Sequence, residues 1–104
     1  MTNMFITLTS KPGQFHSEIC GRATLIETYD YFFYKDLKAK FFIYQIDSEV
    51  KIKISDETPP RVTNHISSKF LQQFTSIDEA RAELNTLAPA NNSNVQLIKK
   101  NASQ

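Results

Sequence analysis

The stretch YDYFFYKDLKAKFFIYQI, residues 29–46, decides how this chain folds. It holds Tyr29, Tyr31, Phe32, Phe33, Tyr34, Phe41, Phe42 and Tyr44, most of the aromatic side chains in a sequence with 8 Phe, 4 Tyr and no Trp. Aromatic and β-branched residues favour a pleated surface, where they pack against cross-strand neighbours. Two such runs flank the polar tetrapeptide Lys35-Asp36-Leu37-Lys38, which predicts a hairpin of strands Tyr29–Tyr34 and Ala39–Ile46. Alternation sends Phe41 and Ile43 to one face and Phe42, Tyr44 and Ile46 to the other. Tyr31 and Phe33 oppose Phe32 and Tyr34 in the same way, so both faces of the ribbon are apolar.

Downstream, Glu49–Ile54 has a clean period of two: Val50, Ile52 and Ile54 on one face, Lys51 and Lys53 on the other. With a turn at Asp47-Ser48, residues 29–54 read as a three-stranded meander. Pro59 and Pro60 remove two ladder donors, so Asp56–His65 is expected to be an exposed connection. Lys69–Phe74 reads as a helical turn. Next comes a capping-box pattern, Ser76-x-x-Glu79, with Asp78 and Glu79 where the helix dipole favours negative charge. Ile77, Ala80, Leu84, Leu87 and Ala88 make one apolar stripe, and Pro89 closes the helix. Asn91–Asn94 reads as loop, Val95–Ile98 as a last strand and Lys99–Gln104 as a frayed polar tail.

Upstream, Met4–Thr9 is a short β-like run ended by Lys11-Pro12-Gly13-Gln14, where Pro12 lacks a donor and Gly13 admits positive φ. Gln14–Cys20 continues as an edge strand until Gly21. Between Ala23 and Tyr34 two readings stand. Leu25, Ile26, Tyr29, Phe32 and Phe33 fall at helical spacing behind Thr24-x-x-Glu27, whereas the Tyr, Phe, Ile and Thr content suits a strand. The strand reading is preferred for Tyr29–Tyr34 because it explains the hairpin.

The fold class expected is therefore α+β: an antiparallel sheet of about four to six strands with one C-terminal amphipathic helix on one face. A single domain over residues 1–98 is expected, its helix stripe meeting the Val50/Ile52/Ile54 face and one face of the aromatic hairpin. At 104 residues folding buries about two-thirds of the surface of the unfolded chain, enough for a core but not a deep cavity. A 40% hydrophobic and 22% charged composition is that of a globular protein, and a net charge of +1 shows no basic excess of the kind non-specific nucleic-acid binders carry. No basic segment followed by an apolar run opens the sequence and no run approaches ~20 apolar residues, so a soluble cytoplasmic protein is expected.

Few residues carry chemistry. His16 and Cys20, with Glu18 between them, are the one nearby pair of nucleophile–base or metal-ligand type, and a small enzyme would centre there. On an edge strand they share a face but lie too far apart to bond, and a lone cysteine excludes an internal disulfide framework. Asp47, Glu49, Asp56 and Glu57 sit in turns at a spacing that fits no calcium loop. With only Gly13 and Gly21, no loop can wrap a phosphate in backbone amides. No catalytic residue, metal or cofactor is assigned.

Surfaces are more informative. One helix covers one face of the ribbon. The second is expected either to be covered by other parts of the chain or to take a protein partner or a second copy, with Tyr31, Phe33, Phe42 and Tyr44 as candidate contacts. A non-enzymatic binding or accessory module is thus the leading reading. The alternative is a single-stranded nucleic-acid binder whose aromatics stack bases while Lys38, Lys40, Lys51 and Lys53 meet phosphates.

Overall fold

The computed structural model describes residues 4–87 and 95–100, which form seven strands and one α-helix. In chain order these are β1 (Met4–Ser10), β2 (Phe15–Cys20), β3 (Thr24–Phe33), β4 (Asp36–Ile46), β5 (Lys51–Asp56), β6 (Thr63–Ser67), α1 (Ile77–Leu87) and β7 (Val95–Lys100). They build two antiparallel sheets, one of order β1-β4-β3-β7 and one of order β2-β5-β6. The expected class, antiparallel α+β with one helix toward the C-terminus, is what the chain adopts.

The aromatic hairpin is β3–β4, but its turn is tighter than the tetrapeptide predicted. Only Tyr34 and Lys35 lie outside the ladder, with φ of 53° and 71°, and Phe33 pairs with Asp36. Positive φ at both central residues is the type I′ geometry, whose twist matches the flanking strands. The stretch with two readings is strand throughout, since β3 begins at Thr24 and its Thr24-x-x-Glu27 pattern caps no helix.

The meander is a correction. β5 does not continue beside β4; it lies in the second sheet between β2 and β6. Asp47–Val50 carries the chain across, and Val50, Ile52 and Ile54 pack against Ile6, Leu8, Phe42, Tyr44 and Ile46 of the first sheet. The helix stripe meets one face of the aromatic hairpin, as expected, but not the Val50/Ile52/Ile54 face. Ala80 and Leu84 pack with Phe74 on Ala39, Phe41 and Ile43, on the opposite face of β4. The period of two in β5 identified its buried face correctly; it said nothing of which element covers that face.

Two further elements depart from the sequence reading. β6 occupies Thr63–Ser67, partly inside the segment read as a connection, and it carries one apolar residue, Ile66. β7 runs to Lys100, so Lys99 and Lys100 belong to the sheet rather than to a tail. The helical turn expected in 69–74 is a 3-10 turn at Ser68–Phe70. The helix start follows its signal: Ser76 Oγ accepts from Glu79 N at 3.2 Å, and Glu79 Oε1 accepts from Thr75 N at 2.9 Å. Hydrogen bonds from Thr75 hold the Glu79 carboxyl below its ordinary value. The expectations for Ala88, Pro89, the Asn91–Asn94 loop and residues 101–104 lie outside the described residues.

Three layers result: helix, four-stranded sheet, three-stranded sheet. Ile43 faces the helix layer; Ile6 and Ile52 face each other's sheets. Burying each of these side chains contributes about 1.5–3 kcal/mol. The sheets are tied at the β1–β2 corner, where Ser17 N donates to Ser10 Oγ at 2.9 Å and Ser17 Oγ donates to the Thr9 carbonyl at 2.7 Å.

Candidate functional site

Two irregularities in the β3–β4 ladder shape the helix-side face. On β3, Leu25 pairs with Tyr44 and Glu27 with Ile43, so Ile26 is an extra residue; on β4, Ala39 pairs with Tyr31 and Leu37 with Phe32, so Lys38 is extra. Bulges of this kind re-aim side chains and bend the strand. The first places both Ile26 and Glu27 toward the helix layer, Ile26 on its apolar cluster. The second puts Lys38 at the rim of a groove that adjoins the helix-covered cluster and shares Ala39 and Phe41 with it.

That groove has a volume of about 530 Å³. Its floor is Tyr31, Ala39 and Phe41, and the β1–β2 turn supplies Lys11, Gln14 and Phe15 along one wall, with Thr9 at the end of β1. The Tyr31 and Phe41 rings lie 6.2 Å apart at 56°. Among the described residues no carboxylate lines it, while Lys11 and Lys38 both do. The β3–β4 turn projects beyond the groove, with Phe33 and Tyr34 in an edge-to-face contact at 4.5 Å. Phe33 is 38% exposed and Tyr34 60% exposed.

The other concentration of chemistry is buried. Glu27 has 5% of its side chain exposed and is surrounded by donors from three elements. Its Oε1 accepts from Tyr29 Oη at 2.7 Å and from Arg81 Nε at 2.9 Å; its Oε2 accepts from a second Arg81 nitrogen and from Lys99 Nζ at 2.9 Å. Arg81 also reaches Asp78 at 3.3 Å. The Arg81 hydrogen bonds, joined by those from Tyr29 and Lys99, outweigh burial and hold the Glu27 carboxyl down at about 2. Burial and the Glu27 charge push the Tyr29 phenol up to about 12, and Glu27 raises the Arg81 guanidinium further above its already high value. A carboxylate saturated in this way stays ionised and gives up no proton near neutral pH. What it does is fasten α1 and β7 to β3.

The residues singled out from sequence fall in different places. Tyr31 is in the groove and Phe33 at the hairpin tip, on the helix side of the sheet by alternation along β3. Phe42 and Tyr44 point the other way, half-buried beneath the second sheet with ring centroids 6.4 Å apart. Burial raises the Tyr44 phenol above its ordinary value. The four candidate contacts thus divide between the two faces of the four-stranded sheet. The lysines divide too. Lys38 lines the groove, and Lys40 lines a smaller recess with His16 and Phe42 between the sheets. Lys51 and Lys53 are on the outer face of β5, where Lys53 pairs with Glu18 at 3.7 Å.

His16 and Cys20 both face solvent on β2. Four positions apart along a strand, they are separated by about 13 Å, beyond hydrogen-bond reach. Among the described residues no group of three or more His, Cys, Asp or Glu is placed to hold a metal ion, and no helix is long and apolar enough to cross a membrane. Sequence reasoning missed the Glu27–Arg81–Lys99 cluster, because its members are far apart in the chain and a strand bulge turns Glu27 inward. It also missed Lys11 and Gln14 as groove residues; the Pro-Gly turn beside the aromatic ribbon was the available signal. Comparison with protein-family models, with curated proteins and with solved structures returns no match to this chain.

Proposed function

We propose that this chain is a non-enzymatic binding module, an accessory domain that docks on a larger protein through the aromatic end of its four-stranded sheet. The observation that carries the reading is the β3–β4 turn. A non-glycine residue at positive φ costs roughly 1–2 kcal/mol, and a bulky one is seldom found there. Tyr34 and Lys35 both adopt it. Tyr34 remains 60% exposed even with its ring set edge-to-face on Phe33. An Asn-Gly pair would make the same turn with less strain. Strain retained at an exposed aromatic tip, next to an apolar groove with a basic rim, supports a recognition surface. The saturation of Glu27 and the separation of His16 from Cys20 support a role without catalysis.

The test is site-directed photocross-linking in extract of the native cell. A photoreactive phenylalanine analogue replaces Tyr34 in one protein and Lys53, on the far sheet, in another. A discrete adduct is expected from position 34 alone, competed by unmodified protein but not by a Phe33→Ser/Tyr34→Ser variant. Identical adducts from both positions, or none from either, would refute the reading.

A further inference from the structure

The geometry points to the class of partner: an extended peptide segment that pairs an apolar side chain with a nearby carboxylate, laid along the edge of β4 at Leu37–Ala39. This inference rests on the binding-module reading and specifies its ligand. Three observations converge on it.

The first is charge. Lys11 and Lys38 approach the groove from different elements, and among the described residues no acidic one lines it. Neither lysine makes an ion pair among the described residues, in contrast to Lys53 and Lys99. Two uncompensated ammonium groups beside a low-dielectric floor favour an anionic visitor and speed its approach. The second is the apolar floor. Tyr31 presents a partly buried ring beside the nearly closed Ala39 and Phe41, and the depression they line is of a size that takes one large side chain. The third is the edge. β1 stops pairing with β4 at Ser10–Lys40, so Asp36–Ala39 have β3 on one side and, among the described residues, no strand on the other. An extended chain added there takes the place that β1 vacates as it turns away at Lys11.

The bulge at Lys38 sets the selectivity. A lysine on a kinked edge normally discourages strand addition. A neutral or basic segment meets that barrier in full, whereas a segment bearing Asp or Glu offsets the lysine charge as it docks. The site is thus closed to indiscriminate pairing and open to acidic partners.

The test uses a phage-displayed library of random linear peptides, selected on the wild-type chain and on a Lys11→Glu/Lys38→Glu variant. Both lysines are exposed, and a melting curve confirms that the variant folds. Selection on wild type is expected to enrich Phe, Leu or Ile within a few positions of Asp or Glu. A fluorescein-labelled peptide of the enriched sequence should bind roughly ten-fold more weakly to the variant, and more weakly to wild type as salt rises. Methylating alternate backbone nitrogens of the peptide should abolish binding. Enriched peptides that lack acids and bind both proteins equally overturn the inference while leaving the binding-module reading intact. Full affinity in the N-methylated peptide overturns the strand placement. A concentration-dependent dimer that the double variant abolishes, with no peptide competing, assigns the groove to a second copy and overturns the inference. Failure to enrich any peptide above a blank surface overturns the inference, while the cross-linking at position 34 decides the binding-module reading separately.

Discussion

Replacing Glu27 with glutamine tests the buried cluster most directly. The amide keeps the shape of the side chain but loses the charge that Arg81 and Lys99 were bonded to. The carboxyl titrates at about 2 in the folded chain against 4.5 ordinarily. Each tenfold in that difference is about 1.4 kcal/mol, which gives about 3 kcal/mol of stability at neutral pH. Arg81 and Lys99 keep 42% and 56% of their side chains in solvent, so water screens part of the attraction. An expected loss of about 2–3 kcal/mol for Glu27→Gln follows, or a melting temperature lowered by roughly 10–20 °C. The sign with pH is equally definite. A carboxyl whose folded value lies below its unfolded value stabilises above the unfolded value and loses that contribution as pH falls. The gap between wild type and Glu27→Gln should therefore be full at pH 7, narrow below about pH 5 and close near pH 2. Urea denaturation across that range measures it. A gap under about 1 kcal/mol at pH 7, or one that persists unchanged into acid, would refute the assignment of Glu27 as the clamp of α1 and β7.

Other expectations follow from packing and backbone geometry. Leu84 is 1% exposed on α1 and packs on the Phe41/Ile43 face, so Leu84→Ala should cost about 2–5 kcal/mol by denaturant titration. Leu84→Asp should not accumulate as a folded protein, and a soluble, cooperatively melting aspartate variant would show that the helix packs elsewhere. Tyr34→Asn/Lys35→Gly should raise stability by about 1 kcal/mol by relieving two positive-φ residues while weakening partner capture. A loss of stability there would mean that the tip contributes to the fold and not to recognition.

How much could be read from the residues alone depends on how locally each feature is written. The helix was legible because its cap, its stripe and its acidic first turn lie within Ser76–Leu84. The β3–β4 hairpin was legible because β-branched and aromatic residues crowd both strands. The partner of β5 was not. Val50, Ile52 and Ile54 specify a buried face, but any apolar sheet satisfies them, and the one that does includes β1, more than forty positions upstream in the chain. β6 escaped notice because Thr63, Asn64 and His65 are exposed and lend it no alternation. Glu27 shows the limit most sharply. Strict alternation puts it on the same side as Leu25 and Tyr29, yet the extra residue at Ile26 separates Leu25 from the other two. The consequence for the site was similar. Tyr31 and Lys38 were named from sequence, but their convergence depends on the irregularity at Lys38, and no periodicity announces it.

Short connections carry the chain between its sheets at 11–14, at 21–23 and at 47–50, and antiparallel pairing sets the first at the opposite end of the stack from the other two. A stack buttoned at both ends has no free margin from which to peel. Phe42 and Tyr44 can meet solvent fully only when the whole body comes apart, which predicts that the slowest-exchanging amides cluster on β4 and β5. Any surface the molecule offers while intact is therefore its periphery, and the β3–β4 tip contributes two rings to that rim, Phe33 and Tyr34, while Phe70 stands out elsewhere on it.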